Sequence, residues 1–113
     1  MTAAARVRYK IQARIIKALA HPTRLFIVDE LSRGERCVRE LTDRIGAEMP
    51  TVSRHLGVLK SAGILAAEKR GLQVFYRLRV PCVLNFFACV EAVQNNHSRP
   101  ANQTASPTTN CAS

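Results

Sequence analysis

The chain holds 113 residues, room for one domain, and 47% of them are hydrophobic, an ordinary share for a globular protein. Seventeen Lys and Arg stand against 8 Asp and Glu, giving a formal net charge of +9, which points to a polyanionic partner. The longest uncharged apolar stretch, residues 80–90, is too short to span a bilayer, so no membrane partner is expected.

The charge is unevenly distributed. Residues 1–24 carry Arg6, Arg8, Lys10, Arg14, Lys17 and Arg24 and no acid. Residues 25–48 are slightly acidic, and residues 49–79 oppose six cations to Glu68 alone. Two basic blocks around an acidic one suit a molecule with one face turned toward phosphate. Basic residues interrupt every apolar stretch near the N-terminus, so no signal-peptide core forms and a cytoplasmic location is expected. Thiols stay reduced there, which makes Cys37, Cys82, Cys89 and Cys111 ligands, sensors or core residues rather than a disulfide framework.

In chain order, Ile11, Ile15, Ala18 and Leu19 share one face of a first helix over residues 7–19. His21-Pro22 breaks it, and Pro22 suits the first turn of a second helix that runs to residue 31 or 32 and buries Leu25, Val28 and Leu31. Gly34 ends that helix. Val38, Leu41 and Ile45 mark a third helix, closed by Gly46. A short turn leads into a fourth helix from about Pro50, with Val52, Leu56 and Leu59 facing inward and Gly63 at its end. Two short amphipathic helices joined by a glycine-containing turn are a helix-turn-helix.

The period then changes to two. Residues 64–69 form one strand, Arg70-Gly71-Leu72 a turn, and residues 73–79 a second strand alternating Val74, Tyr76 and Leu78 with Phe75, Arg77 and Arg79. Pro81 opens a last helix, to about Gln94. The predicted fold is therefore mainly α with a small β-hairpin, a winged helix-turn-helix of five helices in the order α-α-α-α-β-β-α. Residues 1–95 make the domain, and residues 96–113, poor in bulky apolar groups, a disordered tail.

The polar side of the fourth helix carries Thr51, Ser53, Arg54, His55 and Lys60. Arginine can bond guanine through two donors, while hydroxyls and imidazole serve bases or phosphates. Lys69, Arg70 and Gln73 sit on the hairpin, within reach of the backbone or minor groove. Thr23 and Arg24, at the start of the second helix, could donate to phosphate, or Arg24 could pair with an acid such as Asp29 or Glu48. The expected partner is double-stranded DNA.

Four segments, 18–25, 35–41, 50–64 and 69–78, read ALAHPTRL, ERCVREL, PTVSRHLGVLKSAGI and KRGLQVFYRL. In this order they resemble the ArsR/SmtB family, over about residues 10–95. The resemblance implies a homodimeric winged-helix repressor, joined through its first and last helices and bound to an inverted-repeat operator. It also implies release from DNA by an inducer, with no obligatory cofactor and no enzymatic activity.

Arsenite-responsive members of that family carry Cys-Val-Cys at the start of the third helix, where this chain has Cys37-Val38-Arg39. The missing thiolates must then come from elsewhere, and Cys82 and Cys89 are the candidates beside Cys37. Three thiolates suit trivalent arsenic or antimony, which makes arsenite or antimonite the expected inducer. Residues 82 and 89 lie about 10 Å apart along an intact helix, however. Either Cys82 lies in a frayed first turn, or ligands come from both subunits, or the three do not share an ion. Each of these cysteines can also be read as a small buried hydrophobe. A thiol pair sensing oxidants or persulfides, and a constitutive DNA binder without inducer, remain open readings. The last helix lacks the Asp/His pairs of the family's zinc sites, so zinc is not expected.

Overall fold

The computed structural model describes residues 1–98 and divides into two compact units, residues 1–80 and the segment from Pro81 onward. The first unit contains α1 (Ala3–Leu19), α2 (Pro22–Leu31), β1 (Arg36–Cys37), α3 (Val38–Ile45), α4 (Met49–Ser61), β2 (Leu65–Arg70) and β3 (Gln73–Leu78). The second contains α5 (Val83–Ser98). The five helices and the hairpin follow the predicted order, with one strand added.

The first helix begins four residues earlier than its apolar period suggests. Ala3, Ala4 and Ala5 have no apolar stripe to announce them, yet alanine is the best helix former. Thr2 caps them, its hydroxyl accepting the Ala5 N–H at 3.0 Å. In α2, His21 takes the cap position and Pro22 follows in the first turn, as expected. Ile27, Val28 and Leu31 are buried there, but Leu25 is 42% exposed. Six residues separate Leu25 from Leu31, which turns it about 120° away from the buried side.

The core of this unit is aliphatic. Ile27 and Val28 of α2, Leu41 of α3, Val52, Leu56 and Leu59 of α4, and Ile64 and Leu65 at the start of the hairpin are all fully buried or nearly so. Between α3 and α4, Gly46 adopts a left-handed φ of 78° and its N–H bonds the Thr42 carbonyl at 2.9 Å. That conformation is open to glycine without strain and ends α3 sharply enough for α4 to turn across it.

The hairpin pairs β2 with β3 in antiparallel register from Leu65 opposite Leu78 to Arg70 opposite Gln73. Gly71 and Leu72 alone make the turn, and Gly71, at φ 65°, supplies the positive φ that a two-residue hairpin loop requires. The unpredicted β1 joins the other edge of β3, Arg36 opposite Tyr76 and Cys37 opposite Phe75, so the sheet order is β1-β3-β2. Two residues are too few to show a period of two, which is why β1 is invisible to pattern reading.

In the second unit the Leu84 and Asn85 N–H groups bond the Pro81 and Cys82 carbonyls, a turn that leads into α5. The helix then runs to Ser98, past the expected end at Gln94 and into the first residues of the expected tail at 96–113. Asparagines at 95 and 96 favour turns when isolated, but they do not stop a helix already propagating. The remainder of that tail, with Cys111, lies outside the described residues. Among the described residues no helix is long and apolar enough to cross a membrane.

Candidate nucleic-acid interface

The buried residues of α4, Val52, Leu56 and Leu59, hold it against α2, α3 and β2. At 100° per residue Arg54 lies opposite this side and Ser53 and Lys60 on one flank, all three exposed, while Thr51 and His55 lie half-buried on the other flank. Helix α4 contains no acid, and Arg54 and Lys60 enter no ion pair among the described residues. The helix thus offers two uncompensated cations and one hydroxyl on a rigid outward face.

His55 is engaged inside the protein. The Arg24 Nε–H donates to its Nδ1 at 3.1 Å, and its ring lies 4.3 Å from that of His21, tilted by 45°. His21 in turn accepts the Thr23 N–H at 3.1 Å through Nδ1, and Arg24 also donates to the Ala18 carbonyl at 3.3 Å. A guanidinium can only donate, so Nδ1 of His55 must keep its lone pair and the neutral ring carries its proton on Nε2. Burial, followed by the charges of His21, Arg24 and Arg54, holds its pKa below the usual histidine value. This cluster ties the end of α1 and the start of α2 to the middle of α4. Arg24 pairs with neither Asp29 nor Glu48 in it. No local period announces the His21–His55 contact, because the two rings belong to different helices far apart in the chain.

On the hairpin, Lys69, Arg70 and Gln73 are all exposed beside the turn, where Leu72 is 100% exposed. Arg70 is clamped: its guanidinium donates to Glu35 at 2.6 and 3.2 Å and to Glu68 at 2.8 Å, and lies 4.7 Å from the centre of the Phe75 ring. These bonds raise the Arg70 pKa and lower that of Glu68. Among the described residues Lys69 and Arg77 enter no ion pair, so both are free charges of the hairpin.

Cys37 ends β1, caps α3 and is 5% exposed. Its N–H donates to the Glu40 carboxylate at 3.0 Å, and this bond with that of its thiol pulls the Glu40 pKa down. Cys37 also lines a groove of about 520 Å³ shared with Arg39 of α3, Met49 and Ser53 of α4, and Leu72 and Gln73 of the hairpin. Cys82 is exposed in the turn before α5, and Cys89 is half-buried within that helix. Trivalent arsenic needs three soft donors. Among the described residues no three His, Cys, Asp or Glu side chains gather to hold an ion, and Arg39 stands where a second α3 thiol would.

The pattern of the bacterial regulatory proteins of the arsR family matches residues 21–67, from the cap of α2 into β2. The HTH-type transcriptional repressor SmtB of Mycobacterium tuberculosis is 45% identical over 64 residues, 57% of this chain and 47% of SmtB, so the chain spans about half the length of that curated relative. Another HTH-type transcriptional regulator of that organism is 36% identical over 86 residues, 75% of either chain. Among solved structures, the homodimeric winged helix-turn-helix DNA-binding domain of a possible ArsR-family regulator from Mycobacterium bovis superposes with a TM-score of 0.74 at 34% identity, covering 86% of this chain and 90% of that one. The α2-to-β2 match, the winged architecture and these likenesses agree on a family of transcription regulators rather than enzymes: the chain belongs to the ArsR family of bacterial regulatory proteins.

Proposed function

We propose that this chain is a DNA-binding transcriptional repressor that acts as a homodimer on an inverted-repeat operator and is released by chemistry at Cys37. The observation that carries the reading is α4, fixed by three buried aliphatic residues while Ser53, Arg54 and Lys60 stand exposed and Ser53 shares a groove with Leu72 and Gln73 of the hairpin. Such a helix enters the major groove with its N-terminal residues toward base edges, while the hairpin reaches the flanking backbone. Thr51, Thr23 and Gln73 add donors at the margins, and His55, Arg24 and Arg70 orient the surface through their internal bonds.

Dimerisation is supported by unpartnered apolar residues at helical spacing. Val7, Ile11 and Ile15 on α1, and Phe86, Val90 and Val93 on α5, are exposed in the single chain. A second copy covering these faces supplies the burial that a short chain lacks. The neighbour from Mycobacterium bovis, described as homodimeric, supports association of two copies.

The inducer in this reading is thiophilic, because Cys37 lines the groove that α3, the first turn of α4 and the hairpin share. A group added to its sulfur enters the space between the two DNA-contacting elements. Trivalent arsenic or antimony is one candidate, with thiolates drawn from Cys82 or Cys89 and from a second copy. Arg39 favours a second candidate that needs only two thiols. Hydrogen peroxide takes two protons and two electrons from the thiols of Cys37 and of Cys82 or Cys89, leaving one S–S bond and two waters. Coupling of about 1–3 kcal/mol between thiol chemistry and DNA affinity would suffice for release.

The test is binding to the DNA upstream of the protein's own gene, with arsenite, antimonite or peroxide, for wild type and Cys37→Ser. Expected is release of the wild type by one reagent class and retention of the Cys37→Ser protein. Intact mass separates the classes, by bound arsenic or by loss of two hydrogens. Operator affinity indifferent to all three reagents makes the protein a constitutive DNA binder and overturns the sensing part.

A further inference from the structure

Four of the five cations of α1 fall on one strip, and Arg8 lies apart from them. Arg6, Lys10, Arg14 and Lys17 recur at intervals of four, four and three, which places all four within about 80° of one another around the helix. They form a strip about 16 Å long at 1.5 Å per residue. The apolar strip of Val7, Ile11 and Ile15 lies beside it rather than beneath it, so a partner covering the apolar side leaves the basic one open.

The lower end of this strip meets α4. Arg14 and Lys17, with Arg24 and Arg54, rim a groove of about 720 Å³ whose floor includes Gly57 and Val58, and no acid lines it. Among the described residues none of Arg6, Lys10, Arg14, Lys17 and Arg54 enters an ion pair. Four of the eight acids are engaged elsewhere, Asp29 and Glu30 with Arg33, Glu30 with Arg44, and Glu35 and Glu68 with Arg70. Gly57 adds a second observation. It sits in the interior of α4, where glycine costs about 0.5–1 kcal/mol relative to alanine. A Cβ built on it meets nothing within 4 Å, so packing inside the chain does not call for a glycine. Its bareness leaves a slot between the cations.

We infer that α1 is a second DNA-contacting element: Arg14 and Lys17, with Arg54, grip the phosphodiester backbone beside the bases that α4 reads, and Lys10 and Arg6 extend that grip along the strand. The inference rests on α4 being the recognition helix. A duplex carries one charge per about 1.7 Å of its axis, so a strip of this length spans several phosphates. A phosphodiester fits a groove that is cationic at the rim, open at Gly57 and continuous with Arg54.

The experiment measures fluorescence anisotropy of the full chain with a labelled mixed-sequence duplex of roughly 30 base pairs, from about 50 to about 200 mM salt. Arg14→Gln/Lys17→Gln should weaken binding and reduce the slope of log K against log salt by about one for each phosphate that the variant no longer grips. Gly57→Leu should raise the melting temperature through better helix propensity and yet weaken binding, a divergence that a purely structural role does not produce. Wild-type binding with an unchanged slope in the double variant overturns the α1 contact while leaving the regulator reading intact. A wild type that does not bind the duplex at all overturns both.

Discussion

Arginines on two sides of this molecule do different work. On the side made by α2, α3 and the hairpin, Arg33, Arg44 and Arg70 are each held by acids, and the bonds tie one element to the next. On the side made by α1 and α4, Arg14, Lys17, Arg54 and Lys60 enter no ion pair among the described residues. The contrast arises from where the acids lie in the chain: six fall within residues 25–48 and none within α1 or α4. A paired arginine satisfies its donors internally and stabilises the fold. An unpaired one keeps them for a polyanion, so net charge alone says less about a DNA-binding surface than which cations the fold leaves unneutralised.

The largest effect expected from this contrast is at Arg54. Arg54→Ala should weaken operator binding roughly tenfold and reduce the slope of log K against log salt by about one, as for loss of an arginine contact to phosphate. It should leave the melting temperature unchanged, since the side chain supports nothing inside the protein. Glu30→Gln should do the reverse. Glu30 is nearly buried and accepts from Arg44 of α3 at 2.9 Å and from Arg33 at 3.2 Å. Neutralising it leaves two cations with a weaker acceptor, costing about 1–2 kcal/mol once their exposure to solvent is allowed for. The folded fraction should still bind DNA with the wild-type salt slope. If Arg54→Ala lowers stability as much as Glu30→Gln does, the division between structural and free cations fails. A smaller effect belongs to Arg70→Gln, which frees Glu35 and Glu68 at the surface: its loss of melting temperature should fall below that of Glu30→Gln.

The elements that could be read from the sequence are those whose pattern repeats within one segment. Val52, Leu56 and Leu59 announce α4 and its orientation, so the exposure of Ser53, Arg54 and Lys60 followed from the same three positions. The alternation from Gln73 to Leu78 announced the wing. What the pattern concealed depends on residues far apart in the chain. Strand β1 exists because Arg36 and Cys37 meet Tyr76 and Phe75, and neither pair is visible locally. The clamp on Arg70 needs Glu35, and the engagement of His55 needs Arg24 and His21. A polar residue on a helix surface looks like a contact residue until its tertiary partner is known. The four-four-three spacing on α1, by contrast, was present in the sequence and gained meaning only when the fold set its lower end beside Gly57.

The smallest effect tests how the two sides are joined. His55 lies between the cations of α4 and the start of α2, facing His21, Arg24 and Arg54, and no acid is bonded to it. Its folded pKa lies below the value of about 6.5 that an unfolded histidine has. The unfolded chain therefore binds this proton first as pH falls, and stability must rise with pH across that window. The contribution is complete above about pH 6.5 and is lost as pH drops from there through the folded value. Protonation also removes the lone pair that accepts from Arg24, placing a third positive charge between two guanidinium groups. Thermal melts at about pH 7.5 and about pH 5 should show a lower melting temperature at the acid end, where the depressed carboxyls of Glu40 and Glu68 remain ionised and contribute little. His55→Asn keeps an acceptor for Arg24 without a titrating proton, and its melting temperature should change less between the two pH values. An equal change in both proteins would assign the acid sensitivity to other groups, and His55 would then be a packing residue whose ionisation the fold does not feel.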